Sequence, residues 1–256
     1  MKRRMALLLV MGIMMSMAAC GSNTPEAIYE SAAKKYKKAD GVEQTLKSQL
    51  TVKESGNSMD AILQGILKIQ EPGGNTGTVA FEGNMDVDMA TGIPMNVPLS
   101  YYYTDEYMYT NMSGTQYKIK MDWGEAQNQM GPGMILMAHL SGSDFQEIKM
   151  TEQDNQTLLT FTVKPEQAEN IVGAGAQWSQ YKVIYGEDAK VTFQSAGGSF
   201  TIRDGYIVQE TLKLTGTVQT GGKTLSIIHD IIIDVDSYKA ADISLPELGS
   251  YLEIAR

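Results

Sequence analysis

Residues 42–53, VEQTLKSQLTVK, alternate without a slip. Val42, Gln44, Leu46, Ser48, Leu50 and Val52 fall on one side of an extended chain, and Glu43, Thr45, Lys47, Gln49, Thr51 and Lys53 on the other. A period of two over this length fits no helix, whose faces repeat every 3.6 residues. Two further runs come next. Residues 59–70 are apolar at odd positions and partly at even ones, and Val79, Phe81, Met85, Val87 and Met89 alternate with Glu82, Asn84, Asp86 and Asp88. Turn-forming stretches, Ser55-Gly56-Asn57 and residues 71–75 (EPGGN), separate the runs. Each run is about twice the common strand length of five to six residues. Long antiparallel strands coil, so the pattern predicts one broad, curved sheet rather than a compact sandwich.

Strands return after the Pro94 and Pro98 interruption. Residues 99–112 read as a hairpin with Asp105-Glu106 at its tip, Tyr101 and Tyr103 sharing one face and Tyr102 taking the other. These tyrosines read as cross-strand packing pairs or as a ligand platform. Tyr117, Ile119 and Met121 continue as a strand. The alternation is lost beyond Asp122, where Gly131-Pro132-Gly133 divides two short helical pieces and Met134, Met137 and Leu140 share a helical face. Residues 158–163 are strand-like, and Lys164-Pro165-Glu166 opens a helix to about residue 180. Strands are expected at 191–193, 199–203, 206–217 and 223–236, with turns at Asp204-Gly205 and Thr220-Gly221-Gly222 and one short edge strand in the tail at 243–246. The central helices have no other sheet to cover, so the chain reads as one α+β domain over residues 24–256.

The N-terminal part predicts a destination. Lys2, Arg3 and Arg4 precede an apolar stretch from Met5 to Met15, too short for a spanning helix and arranged as a cleavable leader over residues 1–19. Cys20 is the only cysteine, so no internal disulfide can form. Ala18-Ala19-Cys20-Gly21 resembles a bacterial lipobox, with Met17 where leucine is usual; in that pattern the cysteine becomes the acylated first residue. The other reading is a free thiol in an ordinary leader. Residues 20–23 would be a short tether before Thr24-Pro25-Glu26, a helix start with capping hydroxyl, first-turn proline and acid. Ile28, Ala32, Tyr36 and Ala39 are the expected buried stripe, ended by Gly41. The expected location is the extracytoplasmic face of the cell membrane, lipid-anchored.

Chemistry-bearing clusters are scarce. His139 and His229 sit in separate elements without ligand spacing. Asp230, Asp234 and Asp236 lie on one strand without a glycine-turn calcium loop. Gly173-Ala174-Gly175 lacks a preceding strand and a third glycine. The expectation is no enzyme, no metal and no cofactor. A net charge of −9, more negative once the basic leader is removed, argues against nucleic acid. Lys34, Lys35, Lys37 and Lys38 form either a solvated helix face or a surface for anionic headgroups. The methionine-rich residues 130–140 suit a core, a wall for an apolar ligand, or both.

A lipobox, a short capped helix, long curling strands, a central helical segment and the closing residues 234–247 (DVDSYKAADISLPE) resemble the LolA/LolB/LppX-type lipoprotein superfamily and, within it, uncharacterised Gram-positive lipoproteins. The resemblance implies a strongly curved antiparallel half barrel, helices packed on its concave side, and an apolar interior for acyl chains. On that expectation a lipid or other hydrophobic small molecule binds a cavity lined by Phe81, Met85, Met89, Tyr101, Tyr103, Met134, Met137 and Leu140. The membrane is reached through acylated Cys20 and, on the functional reading, the four lysines. The rival expectation is a non-enzymatic interaction or envelope-assembly lipoprotein with a filled core and an envelope protein partner.

Overall fold

The computed structural model describes residues 24–54, 57–88, 94–130, 140–164, 167 and 189–254, with residues 128–130 described by backbone alone. Cys20, Met89, Met134, Met137, His139 and Gly173-Ala174-Gly175 lie outside the described residues, as does nearly all of the helix expected after Lys164.

Among the described residues, twelve strands form one curved, unclosed sheet. The first meander runs β1 (Gly41–Glu54), β2 (Asn57–Gln70), β3 (Thr78–Asp88), β4 (Met95–Thr104), β5 (Tyr107–Met112) and β6 (Thr115–Lys120). The second runs β7 (Phe145–Gln153), β8 (Gln156–Val163), β9 (Lys190–Arg203), β10 (Tyr206–Thr220) and β11 (Lys223–Ser237). β1 pairs antiparallel with β11, from Glu43 opposite Ser237 to Lys53 opposite Ser226, and so joins the meanders into the order β12-β6-β5-β4-β3-β2-β1-β11-β10-β9-β8-β7. The two-residue β12 (Leu252–Glu253) pairs parallel with β6 at one edge. Hairpin tips carry left-handed backbone where the sequence placed them, at Asp105-Glu106 and at Asp204-Gly205.

Several details depart from the sequence reading: the nine-residue strand β7 lies where that reading has no strand, and β4 already begins at Met95, within the stretch read as an interruption. Residues 191–193 and 199–203 belong to one strand, β9, because Gly197 and Gly198 admit close backbone approach rather than a break: a Cβ at Gly197 would lie 2.7 Å from the Phe161 carbonyl oxygen. The tail adds its edge strand at Leu252–Glu253 instead of residues 243–246. In helix α1 (Pro25–Lys37) the fully buried stripe is Tyr29, Ala32, Ala33 and Tyr36, with Ile28 and Ala39 only partly buried. That stripe follows i, i+3, i+4, i+7 and is centred one residue further round than expected. Thr24 caps the helix as read, accepting from the Ala27 amide at 3.3 Å.

One large core lies on the sheet face that carries Leu46, Leu67, Phe81, Ile233, Leu212 and Phe200. α1 packs there: the Tyr29 ring meets Phe145 and Phe200 with centroids 4.9 Å away in each case, and Tyr36 donates to Gln44 of β1. Helix α2 (Trp123–Met130) brings Trp123 onto Tyr103, 5.2 Å between centroids, and Gln127 donates to the Pro72 carbonyl. A second, smaller core occupies the opposite face. There the tail lays Ile243, Leu245, Leu248 and Tyr251 over Ala80, Tyr102 and Tyr109, tied by Gln70 donating to the Ala241 carbonyl at 2.8 Å.

The floor of the large core is set by Gly65 and Gly83, which face each other across β2 and β3 beneath the Phe81 ring. A Cβ on Gly65 would stand 2.7 Å from that ring and would also press on the Glu82 carbonyl oxygen. Gly65→Ala is therefore expected to lower stability by about 1–3 kcal/mol through overpacking, read as a reduced midpoint in urea unfolding.

Candidate functional site

The apolar face is graded along the strands of the first meander. Near α2 it is closed: Leu67, Ile69, Val79 and Phe81 are fully buried, and Tyr103 and Met108 nearly so. Toward the other strand ends the same face opens. Leu50, Met59, Ala61, Leu63, Met85, Val87 and Val97 are only partly buried, while Met95 and Met112 keep 43% and 37% of their surface exposed. The register makes these neighbours: Met59 opposite Val52, Met85 opposite Leu63 and Val97, Met95 opposite Val87, and Met112 opposite Leu99. The result is an apolar patch rich in methionine, continuous with the core, with flexible polarizable side chains at its rim.

Phe81, Met85, Tyr101 and Tyr103 share this face, as the alternation requires. Phe81 lies opposite Tyr101, with ring centroids 6.0 Å apart, and Tyr103 donates to the Met121 carbonyl. Phe81 and Tyr103 are core, whereas Tyr101 and Met85 border the open end. Burial, with a lesser contribution from Tyr117, pushes the Tyr101 hydroxyl up to about 12. Leu140 is buried elsewhere, beside α1, where its carbonyl accepts from Tyr29 at 3.0 Å.

Of the lysines, Lys34, Lys37 and Lys38 are exposed. Lys35 is committed: its Nζ donates to the Asp204 carbonyl at 3.0 Å and lies 4.3 Å over the Tyr206 ring. Lys34, Lys35 and Lys38 line a surface cleft of about 470 Å³ with Ser31, Asp40, Tyr206 and Tyr238. A second cleft, about 570 Å³, lies toward the β7 edge between the bulges at Gln146 and Gln194. It is lined largely by polar residues and is separate from the methionine patch.

The large core contains polar groups; Ser48 falls on the apolar side of the alternation as read, whereas the burial of His229 and Glu210 escaped the sequence reading. Ser48 Oγ lies 2.7 Å from His229 Nε2, both residues buried. Glu210, 2% exposed, sits opposite Phe200 and Ile233. Among the described residues, His229 Nδ1, Glu210 Oε2 and Trp123 Nε1 are buried without a hydrogen-bond partner. Burial pushes the Glu210 carboxyl up to about 8 and the His229 imidazole down to about 4, so both are uncharged at neutral pH. The sequence does carry a signal for Glu210. Ile207 is buried at an odd position and Leu212 and Leu214 at even ones, a change of parity that requires a bulge. The register shift between Ile207 and Gln209 supplies it and turns Glu210 inward. Among the described residues no group of three His, Cys, Asp or Glu side chains could hold a metal ion, and no helix is long and apolar enough to cross a membrane.

No family model and no curated protein matches the chain. Among solved structures, LprF from Mycobacterium bovis aligns over 88% of this chain and 96% of its own at 15% identity and a TM-score of 0.44. The ywiB protein from Bacillus subtilis aligns over 77% and 94% at 9% identity and a TM-score of 0.26. A β-barrel-like protein of domain of unknown function DUF1849 from Brucella abortus aligns over 77% and 98% at 10% identity and a TM-score of 0.21.

Glu210 predicts a pH dependence. Its folded-state value lies above its ordinary one, so the folded state holds more protons and stability falls as pH rises to about 8. His229 acts oppositely, its contribution being lost as pH falls below about 6.5 toward about 4. Between pH 6.5 and 8 the Glu210 effect stands alone of the two. There the unfolding free energy should fall by up to about 1.4 kcal/mol per pH unit, and Glu210→Gln should flatten that slope in urea titrations.

Proposed function

We propose that this protein is a membrane-anchored binder of a lipid or other hydrophobic molecule, and not an enzyme. The chain of the ligand lies on the apolar inner face of a LolA-like half barrel, with the helices on its concave side. The observation that carries this reading is the open methionine patch, with Met95 and Met112 exposed among partly buried neighbours on a face that is solid core at its other end. A greasy surface continuous with the core and left partly uncovered is where an acyl chain gains most from burial, about 25 cal/mol per Å² before association costs. Adaptable methionines suit ligands of varied shape.

Anchoring at Cys20 and residence on the extracytoplasmic face belong to the same proposal. They rest on the leader and the lipobox-like residues 18–21. Three residues separate Cys20 from Thr24, which caps α1, so the domain would sit within roughly 15 Å of the bilayer. Lys34, Lys37 and Lys38 are then available to anionic headgroups, each worth about 1 kcal/mol near the surface. Lys35, held by Asp204 and Tyr206, contributes less.

Organic extraction of protein purified from cells, followed by mass spectrometry, should release acyl species in near-stoichiometric amount. Met85→Lys, which places a charge at the border of the patch, should cut that yield at least tenfold while the unfolding midpoint changes little. A purified protein free of extractable hydrophobic molecules, and unable to take up lipid from vesicles, would favour the filled-core interaction protein instead. For the anchor, Cys20→Ala should move the protein from the membrane fraction to the soluble one. Glutamate at Lys34, Lys37 and Lys38 together should weaken binding of the unacylated chain to anionic vesicles but not to neutral ones.

A further inference from the structure

The large core contains a polar pair that packing does not require. Ser48 of β1 and His229 of β11 face each other diagonally, Oγ to Nε2 at 2.7 Å. The pair is flanked by apolar neighbours, Ile231 and Leu63 opposite Ser48 and Leu50 and Leu214 opposite His229. His229 is 4% exposed, yet its Nδ1 has no partner among the described residues. Leaving such an atom unsatisfied costs about 1–3 kcal/mol, and an apolar residue of similar shape would avoid that cost. The pair also lies at the boundary of the open patch. Leu63 and Leu50, its neighbours on one side, are only partly buried, whereas Ile231 and Leu214 are fully buried.

We infer that Ser48 and His229 are the polar anchor of the binding face, taking an uncharged hydrogen-bonding group, of the alcohol or ester kind, on an amphiphile whose chain lies along the methionine patch. This rests on the hydrophobic-ligand reading and sharpens it. The neutral pair has hydrogen-bonding capacity left over: Nδ1 is free whichever tautomer is present, and the serine hydroxyl uses only part of its own. It offers no countercharge, since burial keeps the imidazole unprotonated and the nearby Asp230 lies on the opposite face, paired with Lys213 at 3.3 Å. A carboxylate or phosphate at this position would stay unpaired in an apolar surrounding, which is strongly unfavourable. The charged end of any ligand is thereby directed away from the pair, toward the open rim.

The test compares hexadecan-1-ol with hexadecane, two probes that differ by one hydroxyl, on the delipidated full chain. In wild type the ¹⁵N resonances of the His229 ring should move with the alcohol and not with the alkane, a readout that needs no variant. In His229→Leu and in Ser48→Ala, the ratio of alcohol to alkane affinity, measured by native mass spectrometry, should fall about tenfold. If both probes bind but the ratio is the same in all three proteins and the ring resonances stay fixed, the anchor is refuted while the apolar site stands. If neither probe binds wild type, the hydrophobic-ligand reading falls and the anchor with it.

Discussion

From Glu43 opposite Ser237 to Lys53 opposite Ser226, β1 lies antiparallel to β11, and this one ladder makes two meanders into a single sheet. Its partners are separated by most of the described chain. The entropy of closing that loop is spent before the pairing gives anything back. The packing of the whole interior depends on this ladder. Tyr36 of α1 can reach Gln44 on β1 while Tyr29 reaches Phe145 and Phe200 on the second meander only because the two halves share one surface. α1 lies across the apolar side of both meanders. The ladder also creates the Ser48–His229 pair, one residue from each half.

The interior divides into regions of different character. Around α1 the core is aromatic, with Phe161 stacked on Phe200 at 4.7 Å and Tyr29 wedged between Phe145 and Phe200. Rigid rings packed edge to face leave little freedom. At the far end of β2–β5 the same face is methionine, valine and leucine with partial exposure. The glycine pair Gly65 and Gly83 lies between, letting the Phe81 ring lie flat on the sheet. A large side chain there would fill the interior. Stiff aromatic packing thus holds the sheet's shape where α1 crosses it, and that leaves the methionine end free of a structural duty.

Most of the sheet was legible because the period is so strict. The alternation from Val42 to Asp88 marks the extents of β1, β2 and β3 to within about two residues and the side on which Phe81 and Met85 fall. Tyr101 and Tyr103 were placed on one face and Tyr102 on the other for the same reason, and the pairing of Tyr102 with Tyr109 obeys it. The glycines of β9 misled, since Gly197 and Gly198 look like a break and act as a close contact. The bulges were recoverable in principle from parity, as between Val191 and Phe193 at odd positions and Phe200 and Ile202 at even ones. The tail was hidden for a different reason. Ile243, Leu245 and Leu248 cover Tyr102 and Tyr109 across the sheet, a contact set by where β11 ends in space rather than by any local pattern. Leu140 shared a helical face with Met134 and Met137 in the sequence, yet it lies beside Tyr29, because helical spacing says which residues align and not which surface they meet.

The proposed anchor and the proposed site are mechanically one object, because of where α1 begins and ends. Its first turns sit over the β7 side, with Glu30 bonded to the Gly142 amide, and its last residue lies against Gly73 in the β2–β3 turn. Thirteen residues at 1.5 Å each span about 20 Å, a chord across the curved face between those two places. A pull on the tether at Thr24 would therefore act on the helix that holds Tyr29 and Tyr36 in the core. Neither tyrosine can leave without cost: Tyr29 carries ring contacts and a bond to the Leu140 carbonyl, and Tyr36 lies among groups that burial keeps uncharged. On the proposed anchoring, a helix held this firmly would orient the domain on the bilayer instead of merely retaining it. The open methionine end then faces a direction fixed by the fold, which is what a site exchanging apolar molecules with a membrane requires.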